Sequence, residues 1–485
     1  MHRHSMFPLR RVKAGADEAS TVRQAGCAPD YTGPVQPYFL PAWSERSRTN
    51  ALGPPGAGEA RWLRMILDRF PTRIAQGFYS RRKFLLGASA AAFAHSVFAA
   101  ESLPDGGSRT DKRFAYVGTY TGAIANGGSG QGIYLYEMNA GSGELELVKL
   151  AAETASPSCL ALHPSQKYLY AGNEIGSYPG AHGKGGSVTA FAVDQVNGSL
   201  KLLNAVSSEG KGPAYISVDR SGKYVLAANY DDGSVAVLPI LQEGALGAAT
   251  SFHKDSGPIG SKRATNAPKD GFAISGHDGP HAHMILASPD NKYVLYTDLG
   301  QDRIYVSALD ETTGKLIPNN PDAFRSLPSG DGPRHFAFHP NGHWLYSIQE
   351  EGSTVAFFHY DPGRGVLASQ QTVSTLPAGF RGTNFTSEVL VSPDGAFLYA
   401  ANRLHDTIAI FAIAGDGRLT LRGEVSTLGD YPAAFNIDPS GSFLYACNLR
   451  SDSITCFRIE RSTGWLKFTG SYIGVGSPGS IVFLS

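Results

Sequence analysis

One imidazole, one carboxylate and two guanidiniums, carried by His283, Glu350, Arg334 and Arg403, are the side chains of this sequence best suited to chemistry. A guanidinium stays charged at any physiological pH and forks onto a carboxylate, a phosphate or a developing oxyanion. A carboxylate or a neutral imidazole takes a proton from a nucleophile, and its protonated form returns one to a leaving group. Together the four types make a place for an anion or an activated carbonyl beside a proton acceptor, with either Glu350 or His283 as the base. Singly, each has a plainer explanation: His283 as a satisfied strand-end histidine, Glu350 and Arg403 as halves of structural ion pairs. Their place in an internal repeat sets them apart.

Six copies of one unit recur, each with a tight turn followed by an aromatic residue that opens a strand. The turns start at His163, Asp219, Ser288, His339, Ser392 and Asp438, and the aromatics are Tyr168, Tyr224, Tyr293, Trp344, Phe397 and Phe443, spaced by 56, 69, 51, 53 and 46 residues. Further strands at positions such as 186–193 and 406–412 make these units four-stranded blades of a β-propeller. A seventh copy is split: residues 114–120 read as a second strand lacking its first, and 478–484 as a first strand lacking its second. Pairing the two closes the ring and removes an exposed sheet edge. The expected fold is therefore all-β, a seven-bladed β-propeller of four-stranded blades over residues 113–485, closed by its N- and C-terminal strands. The step of 69 residues implies an insertion at about 253–280, rich in Gly, Pro, Lys and Asp and expected as a solvated loop, with Lys254, Lys262, Arg263 and Lys269 available to an anionic ligand.

Equivalent positions share structural needs, so a residue present in most copies is structural and one that breaks the pattern calls for another reason. Ten residues after the start of each turn stand Asn173, Asn229, Asp298, Gln349, Asn402 and Asn448, with Thr119 in the split blade, which reads as backbone hydrogen bonding. Five residues before each turn come Ser158, Ala214, His283, Arg334, Ser387, Ala433 and Gly479: five small residues interrupted by two functional ones. Eleven residues after it come Tyr120, Glu174, Tyr230, Leu299, Glu350, Arg403 and Leu449. The start of one strand and the end of its antiparallel partner lie at one end of a hairpin. His283, Arg334, Glu350 and Arg403, with Glu174, Tyr230 and Tyr120, are thus expected at one mouth of the channel, flanked by His281 and His335.

Composition narrows the partners. Forty-two basic and 42 acidic residues cancel, leaving no basic stripe for nucleic acid. Charged residues at 17% and 57 glycines fit many tight turns, and 42% hydrophobic residues supply a large core. Cys27, Cys159, Cys447 and Cys456 form no zinc-like cluster, so no metal is expected; Cys447 and Cys456 either face each other across a hairpin or are buried free thiols. Residues 80–100 carry Arg81 and Arg82 directly before an apolar, Ala-rich run, the pattern of a twin-arginine export signal. The run is too short for a spanning helix, so a periplasmic or secreted product with no stable membrane anchor is expected, handled by the twin-arginine export machinery. Residues 1–79, rich in Pro, Gly and Arg, read as a poorly structured extension, with Met65 an alternative initiator.

The run Gly332, Pro333, Arg334, His335, continuing through His339 and Pro340 to Glu350, resembles the seven-bladed lactonase family of bacterial 6-phosphogluconolactonases, whose fold also occurs in fungal muconate-lactonizing enzymes. Pro280 to His283, Ser288 to Asp290, Asp298 to Arg303 and Ala401 to Arg403 fit the same family. The resemblance implies metal-independent hydrolysis of a sugar or other carboxylic lactone, with no cofactor and with His283, Arg334, Glu350 and Arg403 at the active-site positions. The two arginines would favour an anionic substrate. A phosphorylated lactone belongs in the cytoplasm, whereas the leader points outward. A non-catalytic propeller that binds a ligand or a protein, or a lactonizing isomerase, are the alternatives.

Overall fold

The computed structural model describes residues 113–124, 127–272, 276–320 and 323–484; the extension at 1–79, the signal segment at 80–100 and Cys27 lie outside them. Those residues form seven antiparallel sheets in a ring. Blades 1 to 6 begin with the strands Pro157–Leu162, Pro213–Val218, Ala282–Ala287, Pro333–Phe338, Thr386–Val391 and Pro432–Ile437, and each runs outward in sequence order through three more, with a short fifth strand, Phe324–Ser326, added to blade 3. Blade 7 takes its first strand, Pro478–Leu484, from the C-terminal end and its second, Arg113–Thr119, from the N-terminal end. Phe114 pairs with Leu484 and Val117 with Ile481, which closes the ring.

A strand inside a blade is covered on both faces by neighbouring blades, and so it reads as a continuous apolar run. Tyr224–Asn229 and Phe443–Asn448 are buried at every position. Seven hydrophobic clusters result, one at each interface between blades. Polar struts reinforce them. In all seven blades a second-strand tyrosine crosses the interface to a carbonyl in the outer turn of the next blade, as in Tyr399 to Gly464 (2.9 Å) and Tyr445 to Gly143 (2.7 Å). Gly464 sits at φ +72°, and a Cβ there would lie 2.4 Å from the Phe397 ring. Gly464→Ala is therefore expected to cost roughly 2 kcal/mol, combining a left-handed backbone with an overpacked interface; a lower urea midpoint at unchanged slope would show it.

The polar position ten residues after each turn serves the backbone in most copies, whereas Gln349 and Asn448 bond the side chains of Ser347 and Thr455. Asn173 donates to Ala155 O, Asn229 to Ser208 O and Asn402 to Thr375 O, in each case to the chain leaving the preceding blade. The turn histidines are also structural: His163 bonds Gly222 O and His339 bonds Gly395 O, each in the turn of a neighbouring blade. Cys447 and Cys456 are buried free thiols; Cys447 pairs with Ile454 and Cys456 with Tyr445, so they do not face each other.

The insertion is irregular and largely exposed, as predicted, but it is also fastened to blades 3 to 5. Asn266 binds both oxygens of Asp331, and the Gly382 amide donates to Lys269 O. His277 is buried between Asp302 (3.1 Å) and Glu351 (3.2 Å). The imidazole supplies the counter-charge that two buried carboxylates require.

Candidate active site

Two recurring backbone features aim the site. In all seven blades the register slips at the start of the first strand, at Ser158, Ala214, His283, Arg334, Ser387 with Glu388, Ala433 and Gly479. A β-bulge leaves one residue unpaired and turns its side chain out of the pleat. The residue following each second strand then donates its amide to a carbonyl just before that bulge, as Glu350 N does to Gly332 O (2.7 Å) and Arg403 N to Phe385 O (2.7 Å). Both sets of side chains are held at one end of the channel by main chain alone, whatever the side chain is.

There they line a cavity of about 300 Å³. Tyr120, Glu174, Tyr230, His283, Arg334, His335, Glu350 and Arg403, all expected at the mouth, are among its walls. His281 is not. Its ring stacks on the back of Tyr230 (4.5 Å between centroids) and is tied to Tyr230 O and Asp278, so it supports the wall without forming it. Lys254, Lys262, Arg263 and Lys269 also lie away from this cavity; Lys254 pairs with Asp232, while Lys262 and Arg263 line a separate pocket under the insertion.

At the centre, Glu350 Oε2 lies 3.1 Å from Arg334 Nε and 2.6 Å from Arg403 Nη2. All three side chains are nearly inaccessible. Arg334 Nη1 also donates to Ser387 O (2.8 Å), and Arg403 Nη1 to the Tyr431 hydroxyl (3.1 Å), with the Arg403 guanidinium over the Phe385 and Tyr431 rings. Burial and the charge of Arg403 lower the pKa of Arg334, whereas Glu350 outweighs burial at Arg403 and raises it. A carboxylate held by two cations is a poor proton acceptor. Glu350 accordingly serves the arginines.

Two imidazoles stand opposite, with ring centroids of His283 and His335 5.0 Å apart. Burial and the charge of Arg334 push the His283 pKa well below its usual value, and burial lowers that of His335 against the opposing pull of Glu388. Both are neutral at pH 7, the form in which an imidazole accepts a proton. On the third side Glu174 takes a hydrogen bond from Ser158 (2.7 Å), and burial raises its pKa. The cavity is thus less cationic than a pair of arginines alone implies, since Glu174, Glu350 and Glu388 share its walls. Among the described residues, no group of three or more His, Cys, Asp or Glu side chains is placed to hold a metal ion.

Four large wall residues were not anticipated, nor were the small Cys159, Ala434 and Ser480. Tyr215 and Glu388 follow the bulged position by one, where a regular strand would turn them to the opposite face; Phe385 and Tyr431 precede it by two. In each of these columns the departures from the small residues or glycine of other blades were the available signal.

Beside the cavity, Asp298 occupies the column that holds asparagine in four blades. Burial, followed by the negative charge of Asp255, pushes its pKa up to about 8. The folded protein then keeps a proton that the unfolded chain releases near pH 4, so stability falls as pH rises from about 4 to 8, by up to about 1.4 kcal/mol per unit. Asp298→Asn retains an acceptor for the His281 and Gln301 amides that Asp298 now binds. It is expected to raise the melting temperature at pH 8 and leave it unchanged at pH 4; equal melting curves at pH 8 would refute this.

Residues 114–483 match the family model described as lactonase, 7-bladed beta-propeller. The 6-phosphogluconolactonase of Bacillus subtilis is 34% identical over 374 residues, covering 77% of this chain and 99% of that protein. One from Formosa agariphila is 33% identical over 66% of this chain and 86% of its own length. The structure of the periplasmic gluconolactonase of Pseudomonas aeruginosa superposes with a TM-score of 0.67 at 30% identity, over 77% of this chain and 99% of the other. With its ring of seven blades and its bulge-aimed cluster of arginines, glutamate and histidines at one mouth, the chain belongs to the seven-bladed β-propeller lactonase family.

Proposed function

We propose that the chain hydrolyses a sugar-derived lactone in this cavity. The observation that carries the reading is the convergence of two buried guanidiniums, held apart by Glu350, on the space that two neutral imidazoles also face. Arg334 and Arg403 would hold the carbonyl as its oxygen gains charge, a task for preorganised donors in a site shielded from water. A histidine would take the proton of the attacking water and return it to the ring oxygen as the ester bond breaks. Glu174, Tyr120 and Tyr230 would orient the substrate hydroxyls. The names of the relatives, 6-phosphogluconolactonase and periplasmic gluconolactonase, support the substrate class.

With three glutamates beside the two arginines in the walls, a neutral lactone suits the cavity as well as an anionic one, and residues 80–100 fit export by the twin-arginine machinery to the periplasm or beyond, which favours one that occurs outside the cytoplasm. The periplasmic designation of the Pseudomonas aeruginosa relative supports that address. No helix among the described residues is long and apolar enough to cross a membrane. The test is a panel of phosphorylated, carboxylated and plain aldonolactones, followed by acid release at constant pH. At least one should be opened far above its spontaneous rate, and Arg334→Ala should abolish the gain in a protein that still folds. Failure to accelerate any member of the panel would reject the reading in favour of a binding protein.

A further inference from the structure

The geometry points to His335, oriented by Glu388, as the base that activates water; the inference rests on the lactonase reading and assigns the proton within it. Three groups compete for that task. Glu350 is occupied by two guanidiniums at 3.1 and 2.6 Å. His283 has no carboxylate partner: its Nδ1 is buried without a hydrogen bond, and its ring meets only those of Tyr230 and His335 among the aromatics. An imidazolium formed there would gain no counter-charge beside Arg334 and Arg403.

His335 is built differently. Its Nδ1 lies 3.0 Å from Glu388 Oε1, an oxygen that also accepts the Val389 amide (3.1 Å) and is thereby held in place. A carboxylate at Nδ1 fixes the proton on that nitrogen and leaves the Nε2 lone pair as the acceptor. Nε2 lies 3.4 Å from Arg334 Nη1, a group that can only donate and whose long contact the attacking water must displace. The same tautomer is therefore required from both sides of the ring. An acceptor nitrogen with a carboxylate behind it, beside the guanidinium that would polarise the carbonyl, is the arrangement that general-base hydrolysis needs.

The proton balance closes without a further reactant. Water bonds to the lactone carbonyl carbon as its proton passes to His335 Nε2, and the carbonyl electron pair moves onto oxygen, facing Arg334 and Arg403. The pair returns, the bond from carbon to the ring oxygen breaks, and the departing alkoxide takes the proton from Nε2. Glu388 stabilises the transient imidazolium and stays ionised; it is a positioning residue, and His335 is the catalytic one.

The experiment compares His335→Gln and Glu388→Gln with the full-length wild type, on whichever aldonolactone of the panel the wild type opens best. His335→Gln should lower kcat by about 10²–10⁴-fold, the usual span for a general base. Glu388→Gln should lower kcat by roughly 10-fold or more with KM nearly constant, and should move the acid limb of the pH profile to lower pH because the imidazole loses its counter-charge. Long-range ¹⁵N NMR of the wild type should show His335 protonated at Nδ1. An unchanged acid limb in Glu388→Gln, or a His335→Gln protein within a few-fold of wild type, would overturn the assignment while leaving lactone hydrolysis intact. A wild type that opens no lactone would remove both.

Discussion

Replacing Glu350 by leucine is expected to remove about 3–5 kcal/mol of folding stability, the usual consequence of deleting one partner of a buried charge cluster. The loss arises from what remains. Arg334 and Arg403 would face one another across the cavity wall, side chains 11% and 9% exposed, with their shared counter-charge gone. The main chain would hardly change, since the Glu350 amide still reaches Gly332 O and its carbonyl still accepts the Thr386 amide. A control separates charge from shape: Arg334→Met, Glu350→Leu and Arg403→Met combined remove every member of the cluster and should recover much of the stability, with no activity. Glu350→Gln, close in shape, should fold but lower kcat/KM by about 10²-fold, because arginines without their anchor no longer hold the carbonyl in one geometry. Its acid limb should move to lower pH by less than in Glu388→Gln, since the charge of Glu350 also raises the His335 pKa but ranks below that of Glu388. A Glu350→Leu protein with an unaltered urea midpoint would contradict this account.

The pieces legible in the sequence are those that the repeat itself marks. Seven copies of one unit let Arg334 and His283 stand out against Ser158, Ala214, Ser387, Ala433 and Gly479, and the structure explains why that column mattered: each of its members sits at a bulge. The bulge is also the reason Glu388 and Tyr215 escaped notice. Strand alternation turns the residue after a channel-facing one to the other side, and a slipped register cancels that rule without leaving a sequence signature of its own. His281 shows the converse. Its place beside His283 suggested a wall residue, but it lies before the bulge, and its ring is spent on Tyr230 and Asp278. The anchoring of the insertion had no repeat to mark it, since the partners of His277 come from blade 3 and from the residue after Glu350, far apart in the chain.

That anchoring carries the second large expectation. Burial alone would lower the pKa of His277, but hydrogen bonds to Asp302 and Glu351 outweigh it and push it up to about 10. The folded chain therefore holds a proton that the unfolded chain, with an ordinary histidine, releases near pH 6.5. The resulting stabilisation is fully present below about pH 6.5, declines by about 1.4 kcal/mol per unit above it, and is gone once pH has risen through about 10. His277→Gln should thus be destabilised by several kcal/mol at pH 6, by roughly 3–5 for a broken buried pair, and should differ little from wild type at pH 10.5. The damage should be local. Asp302 keeps the Gly330 and Gly332 amides, so the blade can hold its shape while residues 255–280 come loose. Limited proteolysis at pH 7 should cut the variant within that segment and leave the remaining blades resistant. Since Gly332 also receives the Glu350 amide, loosening here reaches the active site, and KM for the lactone should rise more than kcat falls. Equal protease resistance of variant and wild type at pH 7 would mean that the insertion is held by its other contacts, and that the charge on His277 contributes little.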